Sequence, residues 1–402
     1  MCGPTTRGKP AEDEKAERTL ENSRMKSLKM IVVAGARPNF MKVGPFMKQI
    51  TVHNESIHPD APRVDALLVH TGQHYDENMS EVFFRELGIR RPDINLGVGS
   101  GTHAAQTAAI LTSFEAVCLR EQPDWVVVVG DVNSTMACTL VCAKMGIRVA
   151  HIEAGLRSFD RTMPEEINRL VTDALADLLL TPSEDAGENL LREGVSQEKI
   201  KFVGNIMIDS LMDNLPQARA SGTLGRLELE PARFVYVTLH RPANVDDRDN
   251  LATLIAGLEE LARRLPVVFP VHPRTRKMLA EFKLMPHSDN RLRLLEPLGY
   301  HASLSLTENA RAVLTDSGGL QEEATFFRTP CLTLRPNTER PITLTLGSNR
   351  LTKLDRLLDD VNHVLAGPER MGQVPPFWDG RTAERALKEL IAASYDMEKR
   401  TT

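Results

Sequence analysis

The sequence contains no apolar run of the roughly 20 residues that a membrane-spanning helix needs. Its formal net charge is −5, so it has no general attraction to nucleic acid or to anionic membranes. The first 29 residues carry many charges and no apolar segment, which argues against a signal peptide. We therefore expect a protein that binds neither membrane nor nucleic acid, with residues 1–28 forming a disordered or partly helical extension.

Cysteine is scarce, with five residues that show no paired spacing. Cys138 and Cys142 lie one helical turn apart in an apolar stretch, which favours core packing over a disulfide. The histidines are scattered, so no metal site is predicted. Unpaired cysteines are typical of a reducing compartment, and we expect a cytoplasmic protein.

Strand-length apolar runs alternate with amphipathic segments of helix length throughout the chain. Runs such as KMIVVAG, WVVVVG, RFVYVTLH and ARAVLTD are apolar without a break, which predicts strands buried on both faces of a parallel sheet. Residues 213–232 are polar, contain proline and glycine, and predict a linker. The sequence thus predicts an α/β fold with two Rossmann-like, doubly wound domains facing a cleft, at residues 29–210 and 231–380; a further helix is predicted at 78–87.

The first two strands of such a sheet end in polar residues. Ligands of doubly wound sheets bind beyond the carboxyl ends of the strands. GARPNFMK places Arg37 and Lys42 at a strand-to-helix turn, where they could bind phosphate or simply pair with surface acids. The dinucleotide fingerprint and the Walker lysine pattern are both missing, and we predict no cofactor. Gln73 and His74 follow the second strand behind a turn glycine.

Three acids of the first half follow strands or begin a helix: Asp131, Glu153 and Glu165. Each has a purely structural alternative. Asp131 could cap a helix. Glu153 could pair with Arg157. Glu165 could pair with Arg169 one turn on. Because like charges gathered at one sheet edge repel, we interpret the three acids as a functional cluster.

The second half contributes cations and a glycine pair to the same kind of edge. TDSGG places Ser317, Gly318 and Gly319 between a strand and a helix, a backbone N–H cradle suited to phosphate, although a simple helix cap would use the same residues. Glu322 or Glu323 could accept hydrogen bonds from a ribose diol. The basic residues that follow strands here are His240, Arg241, His272 and Arg274.

In order along the chain, these motifs resemble those of the non-hydrolysing UDP-N-acetylglucosamine 2-epimerases, from about Lys29 to about Leu390. The matching motifs are GARPNFMK, HTGQH, GDVNST, HIEAGLRSFDRTMPEEINR, TLHR, PVHPRT, LTDSGGLQEEA, NTERP and WDG. The resemblance implies a glycosyltransferase-B-type fold whose C-terminal helix, residues 381–395, returns to the first domain. It also implies a homodimer that interconverts UDP-GlcNAc and UDP-ManNAc.

The resemblance also implies roles for single residues. It assigns catalysis to Asp131, Glu153, Glu165, His240, Arg37 and Lys42. We assign substrate binding to Gln73, His74, Arg157, His272, Arg274, Ser317, Gly318, Gly319 and Glu323. The sequence departs from many bacterial members at Tyr75 and at Pro242–Ala243, where those members carry residues of a second, activating UDP-GlcNAc site.

Other functions remain as alternatives at this stage. HTGQHYDENMSEVFF is similar to a sister group that epimerises UDP-2,3-diacetamido-2,3-dideoxyglucuronate. A hydrolase or a glycosyltransferase of the same fold, or a nucleotide-sugar sensor, would use a similar cleft. The intact carboxylates argue against a sensor, which has no need of them.

Overall fold

The computed structural model describes residues 27–57, 61–72, 90–286 and 291–401. Residues 1–26 of the predicted extension, the predicted helix at 78–87 and the side chains of Gln73 and His74 lie outside this part. The described chain forms two sheets, of seven and six strands, in which every strand pairing is parallel. The predicted fold class is thereby confirmed.

The N-terminal sheet has the strand order β3-β2-β1-β4-β5-β6-β7. Its direction of winding reverses between β1 and β4, so the loops after these two strands diverge and leave a crevice. The strands are β1 (Leu28–Ala34), β2 (Val64–His70), β3 (Ile94–Asn95), β4 (Trp125–Val129), β5 (Arg148–Ile152), β6 (Leu178–Thr181) and β7 (Ile200–Phe202). The helices are α1 (Arg37–Glu55), α2 (His103–Glu121), α3 (Asn133–Met145), α4 (Pro164–Leu175) and α5 (Glu184–Arg192).

The C-terminal sheet repeats this arrangement with the order β10-β9-β8-β11-β12-β13, and its winding reverses between β8 and β11. The strands are β8 (Val235–Thr238), β9 (Val267–Pro270), β10 (Leu292–Leu295), β11 (Ala312–Thr315), β12 (Cys331–Leu334) and β13 (Asn349–Thr352). The helices from the connection onward are α6 (Ile206–Ala220), α7 (Thr223–Arg226), α8 (Pro242–Val245), α9 (Arg248–Ala262), α10 (Pro273–Glu281), α11 (Tyr300–Asn309), α12 (Gly318–Phe327), α13 (Ile342–Thr345), α14 (Leu357–Ala366) and α15 (Thr382–Thr401).

Strand β1 shows why unbroken apolar runs predict a sheet covered on both sides. Successive side chains of a strand point to opposite faces. Met30 and Val32 pack into one apolar cluster of the N-terminal half, and Ile31 and Val33 pack into another. Both faces are therefore buried, and β1 has no solvent face on which polar residues would alternate.

Helix α6 corrects the predicted linker, because residues 213–220 are helical despite Pro216. The helix buries Ile208, Leu211 and Ala218 at helical spacing. It packs against α1 of the first half and against α11 and α12 of the second. Burial on both sides outweighs the hydrogen bond that a proline removes from a helix interior.

Helix α15 returns to the N-terminal half, as the resemblance implied. It contacts α1 and α6, and Ala386, Leu387 and Leu390 are buried in the core beneath β1 and β4. Trp125 Nε1 donates to Ser394 Oγ at 2.8 Å. The domain boundaries at 29–210 and 231–380 stay a prediction. None of the helices described here is both long enough and apolar enough to cross a membrane.

Candidate active site

Glu153 leaves strand β5 in a left-handed backbone conformation, with φ at 73°, which a residue with a side chain rarely adopts. The backbone N–H groups of Glu153 and Ala154 both donate to the Leu180 carbonyl oxygen, at 3.0 and 3.2 Å. The carboxylate forms a buried ion pair with Lys42 of α1. The alternative pair of Glu153 with Arg157 does not form, because Arg157 pairs with Asp173 and Glu193.

Gly130 ends strand β4 against this ion pair, with φ at 68°. A β-carbon at Gly130 would lie 2.9 Å from Lys42 Nζ and 3.2 Å from Glu153 Oε2. The positive φ, together with the close approach of these two charged groups, favours glycine at this position. It also places the next residue, Asp131, at the edge of the sheet beside Glu153.

Asp131 does not serve as a helix cap, because the N-cap of α3 is Val132. Its carboxylate instead binds the guanidinium of Arg169 from α4, and 32% of the Asp131 side chain is exposed. Arg169 also pairs with Glu166 at 2.6 Å. Arg169 thus pairs with Asp131 and Glu166 and not with Glu165, which was the structural alternative for Glu165. The carboxylate of Asp131 is held at the edge of the crevice.

Glu166 organises the loop that precedes α4. It accepts hydrogen bonds from the backbone N–H groups of Ser158 and Phe159, each at 2.9 Å. Glu165, its neighbour, is exposed, and its charge acts on Arg241 of the second half. The two adjacent glutamates thus have different positions, one inside the N-terminal half and one facing the other half.

Arg157 lies away from the cleft. Its buried guanidinium donates to Asp173 at 2.7 Å and to Glu193 at 2.8 and 2.7 Å. This location argues against a direct contact with a substrate and gives Arg157 a structural role. Among the other predicted binding residues, Arg274 is partly exposed and pairs with Asp246.

In the C-terminal half, Asp316 holds the loop that carries His240. Asp316 is fully buried and accepts hydrogen bonds from the backbone N–H groups of His240, at 3.0 Å, and of Arg241, at 2.8 Å. His240 Nδ1 lies 3.0 Å from Asp316 Oδ1, and 41% of the His240 side chain is exposed. Burial opposes ionisation of Asp316, but the hydrogen bond and charge of His240 outweigh it and lower its pKa.

His272 lies beside His240, with their ring centroids 5.3 Å apart. Burial, together with the charge of His240, lowers the pKa of His272. His272 Nδ1 also accepts a hydrogen bond from the backbone N–H of Arg274 at 3.2 Å. The two rings thus form one polar wall, in which both side chains are partly exposed.

Ser317, Gly318 and Gly319 begin helix α12. Ser317 makes no side-chain capping bond, so the simple cap that was the alternative is not formed. A β-carbon at Gly318 would lie 2.7 Å from Arg340 Nη1, whereas one at Gly319 would meet nothing within 4 Å. The start of the helix is therefore open beside Gly319, as a phosphate site requires, and has the cation of Arg340 beside Gly318.

Glu322 and Glu323 follow one turn later and differ in their partners. Glu322 Oε1 accepts a hydrogen bond from Asn205 at 2.8 Å and lies 2.9 Å from Arg340 Nε. Burial, with the charge of Glu322 next to it, raises the pKa of Glu323 to about 8, and Tyr300 lies close to its carboxyl group. Glu322 is thus held by Asn205 and Arg340, whereas the carboxyl group of Glu323 lies beside Tyr300.

Arg340, which the sequence analysis left without a role, joins the two halves. Its guanidinium contacts Glu339 and Glu322 of its own half and lies 3.3 Å from Glu153 Oε1 of the other. Burial opposes ionisation of Glu153, but the charges of Lys42 and Arg340 hold its pKa below the usual value. The only signal for Arg340 in the sequence was its place in the motif NTERP. Nothing in that motif predicts a contact with the other half of the chain.

The structure thus brings Asp131, Glu153 and Lys42 to one side of a gap and His240 with the Ser317 turn to the other. The described residues contain no group of three or more His, Cys, Asp or Glu side chains arranged to hold a metal ion. The side chain of Arg37 lies outside the described part. Ionised and protonated carboxyl groups next to cations can move protons while an anionic group is held.

Comparisons with known proteins agree with this architecture. A family model described as UDP-N-acetylglucosamine 2-epimerase matches residues 57–391. The chain is 40% identical over 378 residues to UDP-N-acetylglucosamine 2-epimerase of Methanocaldococcus jannaschii, covering 92% of this chain and 100% of that protein. A crystal structure of the enzyme from that organism, in complex with UDP-GlcNAc and UDP, superposes with a TM-score of 0.80 over 90% of this chain and 99% of that chain.

Two further likenesses bear on the substrate and on the fold. The chain is 40% identical over 327 residues to UDP-2,3-diacetamido-2,3-dideoxy-D-glucuronate 2-epimerase of Pseudomonas aeruginosa, covering 81% of this chain and 88% of that protein. A UDP-glucosyltransferase from Polygonum tinctorium has a TM-score of 0.58 at 12% identity over 91% of this chain and 98% of that chain, which shows a shared glycosyltransferase-type fold alone. From the match of the family model and the extent of these identities, the chain belongs to the UDP-N-acetylglucosamine 2-epimerase family.

Proposed function

We propose that the protein interconverts UDP-GlcNAc and UDP-ManNAc by eliminating UDP and adding it back. The observation that carries the proposal is the pairing of Glu153 with Lys42 and Arg340 across the cleft, beside Asp131. These groups supply an ionised carboxylate and cations where a sugar diphosphate would lie between the halves. The family membership of the chain supports the same reaction.

The chemistry explains why carboxylates are needed. The hydrogen at C2 is not α to a carbonyl, so simple deprotonation is too difficult. In the proposed step a base removes this proton, the C2–H electron pair forms the C1–C2 double bond, and the C1–O pair leaves with UDP. The product is a 2-acetamidoglucal. UDP then adds to C1 while C2 receives a proton on the opposite face.

Both halves of the chain contribute groups to this reaction. Lys42, Arg340, His240 and the N–H groups after Ser317 are positioned to hold the diphosphate and to stabilise the negative charge that grows on it. Glu153 has the low pKa of a group that is ionised at neutral pH. Asp131 lies on the same edge. The assignment of base and acid among Asp131, Glu153 and Glu165 is part of the proposal.

The proposal is tested by incubating the protein with UDP-GlcNAc in deuterated water and following the sugar by NMR. We expect UDP-ManNAc to form with deuterium at C2. Epimerised product without solvent label would contradict proton removal by an exchangeable base. Free sugar accumulating in stoichiometric amounts would instead indicate a hydrolase.

The same assay tests Asp131 directly. We expect Asp131→Asn to slow epimerisation by about 10²–10⁴-fold, the usual contribution of a group that transfers a proton, while UDP still binds. Asp249→Asn changes a carboxylate on α9 that is 92% exposed and is the matched control. Wild-type turnover by Asp131→Asn would remove Asp131 from the mechanism.

UDP-2,3-diacetamido-2,3-dideoxyglucuronate is a second candidate substrate, favoured by the 40% identity to the Pseudomonas aeruginosa enzyme. The larger share of the chain matched by the Methanocaldococcus jannaschii enzyme places UDP-GlcNAc first. Running both donors in parallel decides between them. A kcat/KM at least tenfold higher for the glucuronate would reverse the order.

We also propose that the protein is a cytoplasmic homodimer. The homodimer rests on the family resemblance. The location rests on the cysteines, since Cys118, Cys138, Cys142 and Cys331 are all buried and free. Sedimentation equilibrium and fractionation of the source cells test the two statements separately.

A further inference from the structure

His151 is the fourth of the five residues of β5 and has no exposed surface. Neither the motif analysis nor the proposed reaction gives it a role. Its ring makes two hydrogen bonds in opposite directions. Nδ1 lies 2.6 Å from Asp173 Oδ1, and Nε2 lies 2.8 Å from the Gly130 carbonyl oxygen. The identity of the two partners determines how many protons the ring carries.

The Gly130 carbonyl oxygen can only accept a hydrogen bond, so Nε2 must donate. Asp173 is placed to accept as well. Its other oxygen receives Arg157 Nη1 at 2.7 Å and the backbone N–H of Gly155 at 3.0 Å. A carboxylate with this set of donors is ionised, and it therefore accepts from Nδ1. An imidazole ring that donates from both nitrogens is an imidazolium.

Asp173 also pairs with Arg157 at 2.7 Å, and both side chains are almost fully buried. Glu193, the second partner of Arg157, has 34% of its side chain exposed. The assignment of two protons to the His151 ring therefore rests on its two acceptors, the Gly130 carbonyl oxygen and the Asp173 carboxylate.

We propose that His151 is held as an imidazolium and is a positioning residue for Asp131 and Glu153. Its Nε2–H bond fixes the Gly130 carbonyl group, and so fixes the left-handed turn from which Asp131 leaves the sheet. Its positive charge, two residues before Glu153 in the chain, helps to keep Glu153 ionised. The consequence for catalysis rests on the proposed function, in which an ionised carboxylate accepts the C2 proton.

The protonation state is tested on the wild-type protein by NMR of ¹⁵N-labelled histidine. We expect one ring, assigned by its contacts with Gly130 and Asp173, to show both nitrogens protonated and both N–H protons in slow exchange. A single protonated nitrogen on that ring would overturn the proposal. This result stands whether or not the chain epimerises UDP-GlcNAc, so the two proposals can fail separately.

Two neutral substitutions of His151 separate the effect of its hydrogen bonds from the effect of its positive charge. In His151→Gln the side-chain amide can reach the position of Nε2 and donate to the Gly130 carbonyl, whereas in His151→Asn it can reach the position of Nδ1 and donate to Asp173. We expect both variants to lose activity, and His151→Gln to keep about tenfold more kcat than His151→Asn. Equal loss in the two would contradict the role of the Gly130 contact.

The pH profile tests the charge. The groups that act on Glu153 are Lys42 of α1, Arg340 and Glu322 of the second half, and His151, with Asp173 of α4 behind the ring. Removing the imidazolium raises the pKa of Glu153, so we expect the acidic limb of kcat/KM to move up by roughly one pH unit in both variants. A uniform loss of rate with an unmoved limb would indicate a structural role only.

Discussion

At the scale of single residues, burial and neighbouring charge make chemically identical side chains different. Glu153 and Glu323 are both buried glutamates. Glu153 contacts Lys42 and Arg340, and its pKa is lowered, whereas Glu323 has Glu322 as its charged neighbour and its pKa is raised to about 8. An ionised and a protonated carboxyl group can therefore coexist in one cleft near neutral pH.

The raised pKa of Glu323 predicts a dependence of stability on pH. Its folded-state pKa of about 8 lies above the ordinary value of 4.5, so between these values the folded protein binds more protons than the unfolded chain, and stability falls as pH rises. Glu323→Gln removes this contribution. We expect the melting temperature of the variant to rise relative to wild type as pH goes from about 4.5 to about 8.

Differential scanning calorimetry across that pH range makes the measurement. Glu281→Gln, at an exposed position of α10, is the matched control and should follow the wild-type curve. Parallel curves for wild type and Glu323→Gln would show that the carboxyl group of Glu323 ionises as it does in the unfolded chain.

At the scale of helices and strands, the last helix, α15, is stabilised by its packing on the core of the N-terminal half. Asp209 of α6 accepts hydrogen bonds from the N–H groups of Thr382, at 3.1 Å, and Ala383, at 2.8 Å, and so caps the start of α15. Further along, Leu390 has no exposed surface. Capping and burial together fix a helix that sequence alone could place only as amphipathic.

Truncation of Leu390 tests this packing. We expect Leu390→Ala to lower the free energy of unfolding by about 2–5 kcal/mol, because it leaves a cavity beneath the N-terminal sheet. Lys388→Ala, on the exposed face of the same helix, should change it by less than about 0.5 kcal/mol. Urea denaturation followed by circular dichroism compares them, and equal effects would mean that α15 is not part of the core.

At the scale of the whole molecule, the two segments that connect the halves, at residues 202–204 and 377–385, contact each other. The rings of Phe202 and Phe377 pack against each other at a tilt of 47°, with their centroids 4.8 Å apart. Arg385 donates to the Val203 carbonyl oxygen at 2.6 Å and to the Phe377 carbonyl oxygen at 2.9 Å. Gly204 lies in the first of these segments, so its conformation affects how the halves meet at Arg340 and Glu153.

Gly204 and Gly194 form a matched pair for testing this contact. Both have positive φ, 95° and 88°. A β-carbon at Gly204 would overlap the Phe377 carbonyl oxygen, whereas one at Gly194 would meet nothing within 4 Å. We expect Gly194→Ala to cost about 1–2 kcal/mol of stability from backbone strain alone. Gly204→Ala should cost on the order of 3 kcal/mol or more.

The same pair also separates stability from domain arrangement. Because the overlap at Gly204 displaces the returning chain, we expect Gly204→Ala to reduce epimerase kcat at temperatures where it remains folded. Gly194→Ala should retain wild-type kcat. Calorimetry and the epimerase assay supply both numbers, and equal effects of the two substitutions would refute the contact with Phe377.

The sequence by itself determined the parallel sheets and the edge that carries the chemistry. Unbroken apolar runs such as WVVVV can be buried only between two layers of helices, and a parallel sheet brings all carboxyl ends to one edge. Asp131, Glu153, His240 and the Ser317 turn could therefore be placed from sequence alone, because each lies within two residues of the end of its strand.

The tertiary structure alone decided which charges meet. Arg340 contacts Glu153 of the other half. Arg169 pairs with Glu166 and Asp131 and not with Glu165. Arg157 pairs with the buried Asp173. Ion pairs between residues far apart in the chain depend on how helices and sheets pack, and adjacent acids such as Glu165 and Glu166 look alike until one is buried. Local sequence therefore locates the reactive edge, whereas packing sets the partners and the protonation of each group on it.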